Sequence, residues 1–472
     1  MPIASLACTV PWGDRLKVSA FVVHGKGVFR MPTLYERDLA VVAGIEKLRF
    51  FPLEVAEGYG STLIEVGGRQ LLDLSATWTA CGLGHGHPAV VEAVTRAVQR
   101  PPGAGGLSAV HPDSVGLAED LLEMVPGHGD RRVYLGHAGS DANDVALRAC
   151  RHATGRQRVV TFEHSYHGGI GLAMGVSGVH VEAGTRAATG STFVPYPDPL
   201  RPHRGGRVGV VEASLQAVEV ELSQGDVACL IVEPILADGG LVVPPDGFLS
   251  ALQDLCSRFS VPLICDEVKV GLGRPGLLHA FQHDGVTPDI VTFGKSLGGG
   301  LPLSAAVGPT AILDGPAASA LLTTAGNPVC TAAGRAVLRT LVDEDLPAAA
   351  AAAGARLMAG LREIADGSGP GGHSAGDRIG DVRGRGLAIG VDLVQDRQSM
   401  RRDAALAQKT VYRAWQLGAV VYYVGGNVLE ITPPLVITDE EVDRALEVIG
   451  QAIGDAVRGL VSDEEVAPYT GW

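Results

Sequence analysis

The run Asp289-Ile290-Val291-Thr292-Phe293-Gly294-Lys295-Ser296-Leu297-Gly298-Gly299-Gly300 decides how this chain is read. Ile290 to Phe293, apolar and β-branched, predict a short buried strand, and the glycines around Lys295 predict a tight turn after it. The chain holds only six lysines against thirty-two arginines, so Lys295 stands out. A lysine at the end of a buried strand is poorly solvated, which lowers its pKa and frees the amine to act as a nucleophile.

A second apolar run, Val261-Pro262-Leu263-Ile264-Cys265-Asp266-Glu267-Val268, ends in an acid. A carboxylate at a strand end near a reactive lysine suits pyridoxal 5'-phosphate (PLP). The lysine carries the cofactor as a Schiff base, and the acid keeps the pyridine nitrogen protonated so that the ring accepts electrons. In Leu135-Gly136-His137-Ala138-Gly139-Ser140-Asp141-Ala142-Asn143, Gly139 and Ser140 sit at a turn that opens a helix. Ala142, Val145, Ala146 and Ala149 give that helix its apolar stripe. Its free N–H groups and positive dipole end attract phosphate. Tyr166-His167-Gly168 offers an aromatic face for the ring, and Val268 closes the other side.

These blocks, with Glu233-Pro234, Gly271-Leu272-Gly273-Arg274 and Thr323-Thr324-Ala325-Gly326-Asn327-Pro328, resemble the class III aminotransferases, fold-type I enzymes that use PLP. The resemblance runs from about residue 50 to about 455. It implies that Lys295 is the Schiff-base lysine and proton carrier, and that Asp266 is the pyridinium partner. Tyr166 and Val268 would sandwich the ring, with His167 beside them. Gly139 and Ser140 would cradle the phosphate, and Glu233 would order the site. Thr323 matches a threonine that in this family reaches the phosphate from the neighbouring subunit, which implies a homodimer with shared active sites. The blocks at 139–144 and 323–330 are especially similar to isoleucine 2-epimerase, a racemase within the family.

Departures from the family pattern bear on the substrate. Many members carry a carboxylate-binding arginine in a block that reads here Asn427-Val428-Leu429-Glu430-Ile431-Thr432-Pro433-Pro434-Leu435, with Glu430 at the arginine position. An arginine fork pairs bidentately with carboxylate, whereas a glutamate repels it and attracts ammonium. Asp238 falls where relatives have the acid that pairs with that arginine. Either the two acids form an anionic pocket for an amine, or Glu430 points to solvent. Lys269 stands where glutamine is usual. It either reaches the cofactor's phenolic oxygen or turns away to an acid at the surface. Trp78 aligns with a pocket-lining segment and either stacks on a flat face such as a sugar ring or belongs to the core.

The fold expected is α/β. Strands at Arg132–Leu135, Val159–Phe162, Val227–Val232, Val261–Cys265 and Ile290–Phe293 alternate with helices, as a mostly parallel sheet flanked by helices requires. Residues 61–325 form the large PLP-binding domain and 326–472 a smaller α+β domain, with 1–60 as an N-terminal segment packing against the latter. Residues 1–30 are expected to be dispensable, Met31 opening a natural start. The last helix begins at Thr438, in capping-box spacing with Glu441.

The net charge of −14 argues against nucleic-acid binding, and no apolar run approaches a membrane span. Seven scattered cysteines without metal spacing read as reduced thiols of a cytoplasmic protein, and no metal site is expected. The functional expectation is an aminotransferase acting on an amine-bearing aldehyde or ketone, such as an amino sugar of the aminoglycoside type. The alternative is a PLP-dependent epimerase, and a third reading is a catalytically dead binding protein of the same fold.

Overall fold

The computed structural model describes residues 31–99, 103–202, 209–369, 378–469 and 471. The expectation for residues 1–30 lies outside them. Residues through Lys47 form a small separate unit built on the helix Leu34–Val41, which is capped by Thr33 and Glu36 in a reciprocal box. Leu48–Trp472 forms the main body.

A seven-stranded sheet organises that body. Its order is Arg131–Gly136, Ser304–Pro309, Ile290–Phe293, Leu263–Asp266, Val227–Val232, Arg158–Phe162 and Ser191–Val194. The last five run parallel, and Ser304–Pro309 is antiparallel to both its neighbours. Val227–Val232 is buried at all six positions, as a central strand covered by helices on both faces demands. Five strands lie where the apolar runs predict them. Ser191–Val194 and Ser304–Pro309 carry no comparable run, because the first is an edge strand and the second is built from small residues such as Ala305, Ala306 and Gly308.

Helix Gly139–Thr154 follows the first strand and packs along the sheet. Its buried residues are Gly139, Asp141, Ala142, Asn143, Ala146, Leu147 and Cys150, while Val145 and Ala149 are only partly buried. The stripe is therefore rotated from the one expected, and it places a polar residue, Asn143, inside.

Two smaller sheets complete the body. Ile379–Arg385, Ala388–Leu393, Val428–Ile431 and Tyr422–Val424 form an antiparallel sheet. Val55–Tyr59, Thr62–Glu65 and Gln70–Asp73 form another, extended by Ala419–Val420 from the C-terminal third. Helix Asp439–Val457 begins at Thr438, whose hydroxyl accepts from the Glu441 N–H as the capping box predicts. Among the described residues no helix is long and apolar enough to cross a membrane.

Candidate active site

The parallel strands end on one edge, where open α/β sheets collect their functional groups. Lys295 follows Ile290–Phe293 after Gly294 and opens a short 3-10 turn with φ +43°, a left-handed conformation rarely adopted by a side-chain-bearing residue. A Cβ on Gly294 would lie 2.9 Å from the Gly139 nitrogen, so only glycine lets this strand end meet the start of helix Gly139–Thr154. The Lys295 amine is held below the ordinary lysine range, first by burial and then by the nearby charge of Lys269. A lowered pKa supplies the free amine that a carbonyl cofactor requires.

Asp266 is the last residue of Leu263–Asp266 and is 4% exposed. Its Oδ2 accepts from Asn143 Nδ2 at 2.7 Å and lies 2.8 Å from His167 Nδ1, and its Oδ1 accepts from the Val268 N–H at 3.0 Å. Thr292 donates to Asn143 Oδ1 at 2.7 Å, so the amide must turn its NH2 toward Asp266. His167 reaches the carboxylate with its imidazole, and its Nε2 is buried without a partner. The roles of Asn143 and Thr292 were not singled out from sequence. Their signal was present, as one polar residue within a buried helical stripe and one within a buried strand.

Glu233 follows Val227–Val232 and accepts the Tyr166 N–H at 2.8 Å and the Ala237 N–H at 3.1 Å. Burial and the neighbouring Asp266 and Asp238 push its carboxyl well above the usual carboxylate range. It fixes the backbone at Tyr166, whose ring lies 5.4 Å from that of His180 and whose hydroxyl burial pushes up to about 12.

Gly139 touches Val268 so closely that a Cβ would approach Val268 Cγ1 to 2.5 Å. The Gly169 N–H donates to Ser140 Oγ at 3.1 Å, tying the Tyr166–Gly169 segment to the helix start. At the first turn of helix Gly139–Thr154, N–H groups lack intrahelical partners, as in any helix N-terminus.

The substrate-side candidates meet around Lys269. Its Nζ donates to Asp238 Oδ1 at 2.8 Å and lies 2.7 Å from Glu430 Oε1. The second contact is a close ion pair off-line for a hydrogen bond, so neither Glu430 oxygen has an aligned donor. Glu430 is 1% exposed and does not point to solvent, nor does Lys269 turn toward a surface acid. Burial would raise Asp238, but Lys269 and then Lys295 outweigh it and hold that acid below the usual range. Burial raises Glu430 despite the same lysines. Arg274 lies behind this group, donating to the Leu387 and Pro433 carbonyls, and burial brings it down to about 10. Both acids thus share one cation from the chain, Lys269, and only Asp238 accepts an aligned hydrogen bond from it.

Trp78 stacks on Tyr422 with centroids 4.7 Å apart and 14° between planes, and Lys269 Nζ lies 5.1 Å from the Trp78 ring centroid. Ala76, Thr77, Trp78 and Thr79 all have positive φ, from +48° to +66°. Such a turn costs roughly 1–2 kcal/mol per residue. Asp73 Oδ1 restrains it by accepting the Ser75 and Ala76 N–H groups, and Ser296 Oγ donates to the Thr79 carbonyl at 2.5 Å. Thr323 stands apart from these groups. Its carbonyl packs on Gly105, and the adjacent Thr324 hydroxyl lies 2.8 Å from His137 Nε2.

A weakly basic lysine, a buried carboxylate locked by donors, a glycine-lined helix start and an aromatic ring on one sheet edge are the set that PLP requires, and the residues present fit it. Residues 45–453 match the model of the aminotransferase class-III family, and the chain belongs to that family of PLP-dependent enzymes. It is 33% identical to isoleucine 2-epimerase of Lentilactobacillus buchneri, over 93% of this chain and 98% of that protein. It is 35% identical to acetylornithine aminotransferase of Mycobacterium tuberculosis strain H37Rv, over 86% and 93% respectively. The fold superposes with a TM-score of 0.77 on the ornithine aminotransferase of Toxoplasma gondii, whose active site holds PLP at partial occupancy. That match is 27% identical and covers 90% of this chain and 94% of the other.

Proposed function

We propose that this enzyme moves an amino group between a donor and an aldehyde or ketone on an amine-bearing substrate, such as an amino sugar of the aminoglycoside type. The observation that carries the reading is Glu430 beside Lys269 at the position where many family members hold a carboxylate-binding arginine. A cation already engaged by two acids is a poor partner for a third carboxylate.

PLP, when bound, supplies the electron sink that stabilises negative charge at the substrate carbon. Lys295 would hold the cofactor and carry the proton taken from that carbon. Asp266, oriented by Asn143 and His167, would meet the ring nitrogen. Tyr166 and Val268 would hold the ring, with Glu233 keeping the Tyr166 backbone in place, and Gly139 with Ser140 would take the phosphate. Thr323 reaches the phosphate of the partner subunit's site in a homodimer. Residues 61–325 serve as the large domain, 326–472 as the small one, and the protein works in the cytoplasm.

A second reading is favoured by the likeness to isoleucine 2-epimerase over nearly the whole chain. In it, Lys295 removes the proton and the proton returns to the opposite face of the same carbon. The test is to add single amines to PLP-loaded protein with no keto acceptor present. The panel is L-glutamate, L-isoleucine and an amino sugar such as neamine. Conversion of the cofactor to its aminated form by an amine supports transamination. An unchanged cofactor spectrum, with solvent deuterium entering the amine and its stereochemistry scrambled, replaces this reading with epimerisation.

A further inference from the structure

The described residues contain a second lysine in the substrate wall, and its surroundings define a role that the cofactor chemistry does not use. The Lys269 side chain is 6% exposed, and its ammonium meets Asp238 at 2.8 Å, Glu430 at 2.7 Å and the Trp78 ring at 5.1 Å from the centroid. The ammonium's charge is engaged by two carboxylates and an indole face, with one N–H aligned on Asp238. The partners come from three separate segments: the loop after Val227–Val232, the strand Val428–Ile431 and the left-handed turn at 76–79. Arg383, from the strand Ile379–Arg385, secures the first of these by donating to the Gly240 and Leu241 carbonyls.

Two buried carboxylates side by side repel one another and lose their hydration, so removal of the cation between them is severely unfavourable. The chain provides that cation itself. A substrate carboxylate therefore finds an ammonium already engaged and two acids that repel it. A substrate ammonium must compete with Lys269 for the two acids, of which Glu430 has no aligned donor.

We propose that Lys269 is the specificity-determining residue of the pocket, a built-in ammonium that engages Asp238 and Glu430, closes this wall to a substrate carboxylate and competes with a substrate ammonium for the two acids. This inference rests on the amine reading above and names the residue that sets which charged groups of the substrate this wall accepts.

The experiment uses PLP-loaded protein and the change in cofactor absorption on adding putrescine, glucosamine or L-glutamate. In K269Q the acids lose their cation, and putrescine affinity rises at least about tenfold relative to glucosamine. K269R keeps the wild-type ranking. In E430Q one acid is gone, Lys269 gains spare charge, and L-glutamate affinity rises about tenfold relative to glucosamine. Unchanged rankings in folded K269Q overturn the proposal. If K269Q does not fold, an unchanged ranking in E430Q, the more conservative change, does so instead. A substrate-free measurement separates this from the amine reading. The pH at which the cofactor absorption changes is expected to rise in K269Q, because a neighbouring ammonium disfavours positive charge on the Lys295 nitrogen whether it is free or joined to the cofactor. If that shift occurs while none of the three ligands binds, the amine reading fails and the charge role of Lys269 stands. If the shift is absent, Lys269 only fills space.

Discussion

Asn143 donates to Asp266 across 2.7 Å, and the direction of that bond is set by Thr292, whose hydroxyl occupies the amide's oxygen. The carboxylate proposed to meet the cofactor nitrogen is therefore aimed by a helix and a strand at once. Replacing Asn143 with leucine removes one donor from Asp266 and leaves the Thr292 hydroxyl buried without its acceptor. Each orphaned buried group costs about 1–3 kcal/mol. PLP titrated into N143L apoprotein, followed by absorbance, is expected to bind about tenfold or more weakly, with the double change N143L/T292V partly restored in stability.

The close approach of Gly139 and Val268 makes a second expectation. An added methyl at 139 would sit 2.5 Å from Val268 Cγ1, within repulsive range. G139A is expected to lose cofactor affinity and about 1–3 kcal/mol of stability through overpacking. V268A in the same chain opens the space again, so thermal melting should show recovery of stability in the double variant.

The left-handed turn under Trp78 depends on Asp73, which accepts two backbone N–H groups and meets His85 Nε2 at 2.8 Å. D73A is expected to cost about 2–4 kcal/mol by orphaning those donors. Substrate KM should rise more than kcat falls, since Trp78 is displaced and Lys295 is not. Equal stability of D73A and wild type in urea unfolding would refute this.

His85 adds a pH dependence to the same turn. Burial alone would lower its pKa, but the Asp73 carboxylate and the Cys81 thiol outweigh it and raise the imidazole to about 10. The folded-state pKa lies above the unfolded value of about 6.5. Its stabilising contribution is therefore complete below about pH 6.5 and is lost as pH rises through about 10. Urea midpoints of wild type and H85Q should differ at pH 6 and converge near pH 10.

Thr323 tests the shared site. T323E places a negative charge where the partner's phosphate would bind, and K295A removes the amine. Each variant alone should be inactive. In a mixed population reassembled after mild dissociation, heterodimers carry one intact site, restoring about a quarter of wild-type activity. No recovery, with mixed dimers demonstrated by tagged co-purification, would place Thr323 outside the neighbouring site.

Much of the sheet was readable because a buried parallel strand is almost continuously apolar, as Val227–Val232 is throughout and Ile290–Phe293 is apart from Thr292. Ser304–Pro309 escaped, since small residues in an antiparallel strand leave no run that differs from a loop. The helix stripe was read one position off because alanine and valine counted as core while Asn143 did not. Burial of that asparagine is possible only because Thr292, Asp266 and the His167 carbonyl satisfy it.

The sequence by itself determined the strand-end lysine, the strand-end acid, the glycine–serine helix start and the presence of an acid at position 430, because each rests on local pattern or on a motif's internal spacing. Only the tertiary structure decided that Asn143 meets an acid 123 positions away, that Lys269 lies between Asp238 and Glu430, and that residues 76–79 turn left-handed under Asp73. Those pairings depend on strand order and on which side chain finds a partner once water is removed. A buried charge takes whatever counter-charge the fold brings within about 3 Å, and no periodicity along the chain records which one that is.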